Sequence, residues 1–197
     1  MRPLVAVLPY APVFWTAWVW AFLPEWRIIR RARASGAAVA PQDAGSLRLI
    51  VVGINVALCA AFALAFLVPG AAIVRHRAGV FWAGVALLVA GSLLRRHCFR
   101  VLGAWFSGAV SVRADQPVVE GGAYRWVRHP SYTAAMLMFA GVGLALGNWV
   151  SLGVLTVAPI PIYLYRSSVE ERALVATLGE PYRAYIRRTK RFVPYVV

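Results

Sequence analysis

From Pro130 to Tyr165 the chain runs 36 positions without a charged residue. A helix crosses a bilayer core with roughly 20 apolar residues, so this stretch is too long for one crossing and suits two. Gly147-Asn148-Trp149 stands near its middle and predicts a tight turn between antiparallel helices. Three more uncharged runs precede it: Leu4–Leu23, Leu49–Val74 and Ala78–Leu94. The first holds Phe14, Trp15, Trp18 and Trp20 and ends in no small-residue cleavage site, which predicts a retained helix rather than a signal peptide. The expected fold is all-α and integral to a membrane. It is a single domain over 1–197 with five spans near 4–23, 49–70, 78–97, 131–146 and 149–165, then a cytoplasmic segment 166–197.

Composition agrees. Hydrophobic residues make up 61% of the chain and charged residues 14%, with mean hydropathy +0.67. That balance excludes both a soluble globular domain and a disordered one. The net charge of +14 could serve nucleic acid or an anionic membrane surface, and its placement decides between them. Of the 21 basic residues, 18 fall between spans one and two, between three and four, or after five, and 3 fall on the other side. Loops rich in Lys/Arg stay in the cytoplasm, so the N-terminus is expected outside and the C-terminus inside. The charge is then topology and contact with anionic lipids, and no nucleic-acid motif accompanies it. An Ala/Arg-rich composition points to a bacterial inner membrane.

Cys59 and Cys98 make no disulfide framework, and the histidines at 76, 97 and 129 have no metal-binding spacing, so no metal is expected. Ala34–Gly45, small-residue rich with Pro41, reads as a loop. Val101–Val112 is apolar but too short to span, and suits a helix end or an interfacial segment.

Two polar stretches remain, both on the expected cytoplasmic side. Gly121–Tyr132 reads GGAYRWVRHPSY. Its glycines allow close approach of a ligand, and Pro130 suits the first turn of span four. Arg128 and His129 then sit at a helix N-terminus, a ready anion site. The competing reading is a snorkelling Arg and an interfacial His. After span five, Arg166 and Glu170 are one turn apart on one helix face, and Glu171 points about 100° away. Gly179 can end that helix, and Tyr182 and Tyr185 follow at helical spacing. Here the competing reading is a solvated salt bridge worth under about 1 kcal/mol. Against it, acids are scarce: 7 in the chain, two of them adjacent at a span end.

Together these stretches resemble the isoprenylcysteine carboxyl methyltransferase and phospholipid methyltransferase group. The shared pattern G-x-Y-x-x-x-R-H-P-x-Y falls on Gly122, Tyr124, Arg128, His129, Pro130 and Tyr132. A second, R-x-x-x-E-E, then L, G-x-x-Y-x-x-Y and F-x-P, falls on Arg166, Glu170, Glu171, Leu174, Gly179, Tyr182, Tyr185, Phe192 and Pro194. Ala123 and Ala134 depart from it, where Pro and Gly are common. The resemblance covers about Gln116–Pro194 and does not reach spans one to three.

The resemblance implies an integral membrane methyltransferase using S-adenosylmethionine, with its pocket built by the loop before span four and the C-terminal helix. It assigns Gly122, Tyr124, Arg128, His129, Pro130, Tyr132, Glu171 and Tyr182 to the cofactor, and Arg166 and Glu170 to catalysis. The acceptor would be lipophilic, an isoprenoid carboxylate or a lipid, entering from the bilayer. No glycine-rich dinucleotide fingerprint is present, so the soluble methyltransferase fold is not expected. Membrane sterol and steroid reductases are similar in their C-terminal half, which makes an NADPH-dependent reductase the alternative. A non-enzymatic scaffold is the third reading.

Overall fold

The computed structural model describes residues 2–34, 43, 45–106, 110, 112–113 and 115–194. Among the described residues, seven α-helices follow in order: α1 Tyr10–Ala34, α2 Ser46–Leu67, α3 Arg77–Leu102, α4 Pro130–Leu146, α5 Trp149–Val157, α6 Pro159–Leu178 and α7 Glu180–Arg188. Among the described residues there is no β-strand, only isolated bridges at Ala72–Asn148 and Val127–Lys190.

The protein is an integral membrane bundle. Three helical stretches are long and apolar enough to cross a bilayer: Ser46–Leu67, Arg77–Trp105, and Trp149–Leu178 taken through α5 and α6. The outward faces are greasy, as lipid contact requires: Val52, Val56, Phe66, Trp82, Leu93 and Val157 are all exposed. Inside, helices meet through small residues. Ala57, Ala61 and Ala65 of α2 share one buried face, and Ser151 of α5 donates its hydroxyl to the Ala61 carbonyl at 2.7 Å. α4 lies at the centre, buried over most of its length, with α3 packed along it.

The turn expected at Gly147-Asn148-Trp149 is present. Gly147 closes α4 with φ +65°, and the Asn148 side-chain oxygen caps α5 by accepting from the N–H groups of Val150 and Ser151. The Asn148 amide also donates to the Val68 carbonyl at 2.9 Å, and Ile73 N–H donates to the Gly147 carbonyl at 2.7 Å. The α2–α3 and α4–α5 connections are thus tied together at the end of the bundle remote from the polar motifs.

Two helices differ from their expected bounds. The first begins at Tyr10, because Leu4–Ala6 forms a separate 3-10 turn and Pro9 cannot continue a helix from it. It then runs beyond Leu23 to Ala34 with Pro24 inside it. The last apolar helix, expected over 149–165, is divided at Ala158–Pro159 into α5 and α6, and α6 continues past 165 to Leu178, since no Gly or Pro falls between Tyr165 and Gly179. Arg166, Glu170 and Glu171 therefore stand on the helix that carries the apolar run. Of the expected 34–45 loop, Asp43, Gly45 and the backbone of Ala34 fall within the described residues.

Candidate functional site

The site begins with a glycine that tolerates no side chain. Gly122 has φ +58°, and a Cβ there would stand 2.7 Å from His97 Nε2. Its 3-10 turn, Gly122–Arg125, brings Tyr124 into the interior. Pro130 is the first residue of α4, as expected, which leaves His129 as the residue before the helix.

A returning segment then covers this turn. Arg128 and His129 donate their backbone N–H groups to the carbonyls of Lys190 and Arg191, at 2.8 and 3.0 Å. Thr133 Oγ1 donates to the Phe192 carbonyl at 2.7 Å, and the Phe192 ring is buried. Glu171 is the rivet. Its carboxylate accepts from Arg128 Nε at 2.8 Å and Arg191 Nη2 at 2.7 Å, and lies 3.1 Å from His129 Nε2. Arg128 Nη1 also donates to the carbonyls of Ile186 and Thr189.

On the inner side, Glu170 gathers the other motif. Its Oε1 accepts from Arg166 Nε at 2.9 Å and from the Tyr132 hydroxyl, and its Oε2 lies 3.4 Å from His129 Nδ1. The His129 ring lies parallel to Tyr132, and Tyr132 stacks on Tyr163 with centroids 4.7 Å apart. Burial pushes the His129 pKa down, but its bonds to Glu170 and Glu171 outweigh burial and hold it above 6.5. His129 is 5% exposed and Arg166 is 2% exposed. Neither a snorkelling Arg128 with an interfacial His129 nor a solvated Arg166–Glu170 pair describes this arrangement.

These groups wall a cavity of about 190 Å³. Of the expected residues, Tyr124, Arg128, His129, Tyr132, Arg166, Glu170 and Tyr182 line it; Gly122, Pro130 and Glu171 do not. Gly122 shapes the turn, Pro130 starts the helix, and Glu171 stands behind with the returning segment. The same cavity has an apolar wall from the earlier part of the chain, including Leu47, Ile28, Ile50, Leu102 and Phe106.

Three residues that the motifs do not contain also belong here. Glu25 of α1 pairs with Arg95 of α3 through both carboxylate oxygens, and Arg95 Nη1 donates to the Ser131 carbonyl at 2.6 Å. Asp43, 1% exposed, accepts from Arg166 Nη1. One signal could have found them. Each of the seven acids in the chain is paired with an arginine, and two of the pairs, Glu25–Arg95 and Asp43–Arg166, bring the N-terminal third into the site.

A membrane bundle of helices enclosing, at one end, a mostly apolar cavity with one polar wall defines the class. Comparison with known proteins gives the family. The profile described as phospholipid methyltransferase matches residues 80–180, and the chain belongs to this family. Among curated relatives, it is 29% identical over 114 residues to the protein-S-isoprenylcysteine O-methyltransferase of Schizosaccharomyces pombe, a match covering 57% of this chain and 48% of that protein. To protein-S-isoprenylcysteine O-methyltransferase B of Arabidopsis thaliana it is 27% identical over 115 residues, 57% of this chain and 58% of that one. For the Tribolium castaneum enzyme the identity is 26% over 115 residues, with 57% and 41% covered. The chain spans about half the length of the curated relatives it matches. The fold matches a solved structure of the eukaryotic intramembrane Ras methyltransferase, isoprenylcysteine carboxyl methyltransferase. The TM-score is 0.67 at 18% identity, over 98% of this chain and 70% of that one.

Proposed function

We propose that the protein is an S-adenosylmethionine-dependent methyltransferase acting on a lipophilic acceptor, an isoprenoid carboxylate or a lipid, that reaches the site from the bilayer. The observation that carries the reading is the shared cavity. Arg166, Glu170, His129 and Tyr132 stand on one wall and an apolar surface from α1, α2 and α3 on another. The curated relatives are named as methyltransferases of isoprenylated cysteine, which suits such a cavity.

The residues present fit the cofactor in kind. Glu170 and the rings of Tyr124, Tyr132 and Tyr182 suit its cationic groups. Both ring nitrogens of His129 face Glu170 and Glu171, so it is the place of His129 before α4, at a helix N-terminus, that suits the cofactor's carboxylate. When bound, the cofactor supplies an electrophilic methyl group on a sulfonium. Arg166, itself buried, orients the acceptor away from bulk water. Both Glu170 oxygens already face donors, so Glu170 is poorly placed to take another proton. An acceptor that needs no base, a carboxylate, is the better fit than an amine or an alcohol.

We also propose five crossings, with the N-terminus outside, the site at the cytoplasmic face of a bacterial inner membrane, and anionic lipids against its basic loops.

The test is cofactor binding and turnover on purified protein. S-adenosylhomocysteine should stabilise it against heat where NADPH does not, and the reverse result would favour a reductase. Arg166→Lys keeps the charge but not the planar fork, and should lower turnover at least tenfold while leaving cofactor affinity within about threefold. Glu170→Gln should do the same. Near wild-type turnover in both variants would sink the catalytic assignment.

A further inference from the structure

Arg166 is gripped from two sides. On its own helix, Glu170 accepts from Nε at 2.9 Å. From 123 residues away in sequence, the Asp43 carboxylate accepts from Nη1, and Ser46 Oγ accepts from the same nitrogen at 2.6 Å. Asp43 Oδ1 also accepts from the Val110 N–H at 3.0 Å, and Oδ2 from the Leu47 N–H at 2.9 Å. Burial raises the Asp43 pKa, and these N–H groups with Arg166 more than offset that, leaving it a carboxylate. Arg166, Leu47 and Val110 all line the cavity, and Asp43 does not.

We infer that Asp43 is a positioning residue: from behind the cavity wall it fixes the guanidinium plane of Arg166 and latches the segments at Leu47 and Val110 around it. An arginine side chain has many rotamers to lose when it is fixed. An arginine held by one neighbour can still swing. Two carboxylates on different edges of the guanidinium leave one orientation, so that loss is borne on folding rather than in the reaction. The inference rests on the methyltransferase reading for its kinetic consequence, but not for the latch itself.

Asp43→Asn is nearly isosteric and removes the charge. It should lower kcat about tenfold or more while S-adenosylhomocysteine affinity stays within about twofold. Combined with Arg166→Lys it should add little to the loss from Arg166→Lys alone, since both act through one group. Near wild-type kcat, or fully additive losses, would overturn the inference. So would a lower melting temperature and weaker binding with kcat unchanged, the mark of a merely structural residue. If Asp43→Asn does not fold, Ser46→Ala takes its place. It keeps both charges and removes the hydroxyl that bridges them, and should lower kcat a few-fold, where an unchanged kcat overturns the inference. Hydrogen exchange at the Leu47 and Val110 amides needs no turnover. Faster exchange at both in either variant supports the latch, and unchanged protection overturns it. A wild-type protein that transfers no methyl group to any isoprenoid carboxylate or lipid acceptor sinks the proposed function, and the exchange measurement still decides the latch.

Discussion

The Tyr185 hydroxyl donates to the backbone carbonyl of Tyr124 at 2.5 Å, joining two cavity-lining residues 61 positions apart. The ring is 3% exposed, so the bond is shielded from bulk water. It fastens α7 to the 3-10 turn before α4, and thereby shapes the part of the cavity formed by Tyr124, Tyr182 and Tyr185.

Tyr185→Phe leaves a buried carbonyl without its donor, a loss of about 1–3 kcal/mol. The melting temperature of the detergent-solubilised protein should fall, and S-adenosylhomocysteine should bind several-fold more weakly by calorimetry. If both measurements match wild type, α7 is held by other contacts and the bond is incidental.

Stability should depend on pH through His129. Its folded pKa lies above 6.5, so its contribution is fully present below the unfolded value of about 6.5 and is lost as pH rises through the folded one. Wild type should therefore exceed His129→Gln in melting temperature most at low pH, with the gap narrowing as pH rises. A gap that widens toward alkaline pH would show that the neutral imidazole is the stabilising form.

The α3–α4 contact depends on glycine. A Cβ on Gly141 would stand 2.5 Å from Leu88 N and 2.7 Å from the Gly84 carbonyl, both backbone atoms that cannot step aside. Gly141→Val should cost about 1–3 kcal/mol or more, measured by thermal unfolding in detergent. Gly70→Val is the control, because nothing lies within 4 Å of a Cβ there. Equal stability of the two variants would mean that α3 and α4 can part without loss.

Topology follows from the basic residues. In a Cys59→Ser background, a cysteine at Arg187 should be shielded from an impermeant thiol reagent applied to intact cells, and one at Arg75 should react. Both positions are exposed on the protein. The opposite pattern would invert the orientation, and labelling of both would break the five-crossing count.

Much of this arrangement is readable in the residues. Pro130 and Gly179 mark helix ends because one lacks an N–H and the other reaches φ +65°. Asn148 announces its turn because its side chain can cap the next helix. Arg166 and Glu170 pair because one turn separates them. What resisted reading was burial. Nothing local says that His129 lies between two glutamates, since both stand on α6, far along the chain from the turn that carries His129. Glu171, one residue beyond Glu170, faces Arg128 and Arg191 instead of the cavity, and helical geometry gives the angle but not what waits there. Asp43 sits in a stretch with no periodicity at all. Its one cue is scarcity, since an acid in so basic a chain has many arginines to choose from and only the fold selects Arg166.

The segment that closes over His129 comes from residues 189–193, while the turn it covers was made some sixty residues earlier. A ribosome feeding this chain into the membrane will have delivered α1 to α4 while Glu171, Arg191 and Phe192 are still unmade or inside the exit tunnel. Until they emerge, the turn before α4 has no cover, and the tyrosine-lined chamber stands open to water. Nascent chains stalled before Arg191 should insert normally and yet lack a binding-competent chamber, so insertion and the capacity to bind arise as separate events in the life of the molecule.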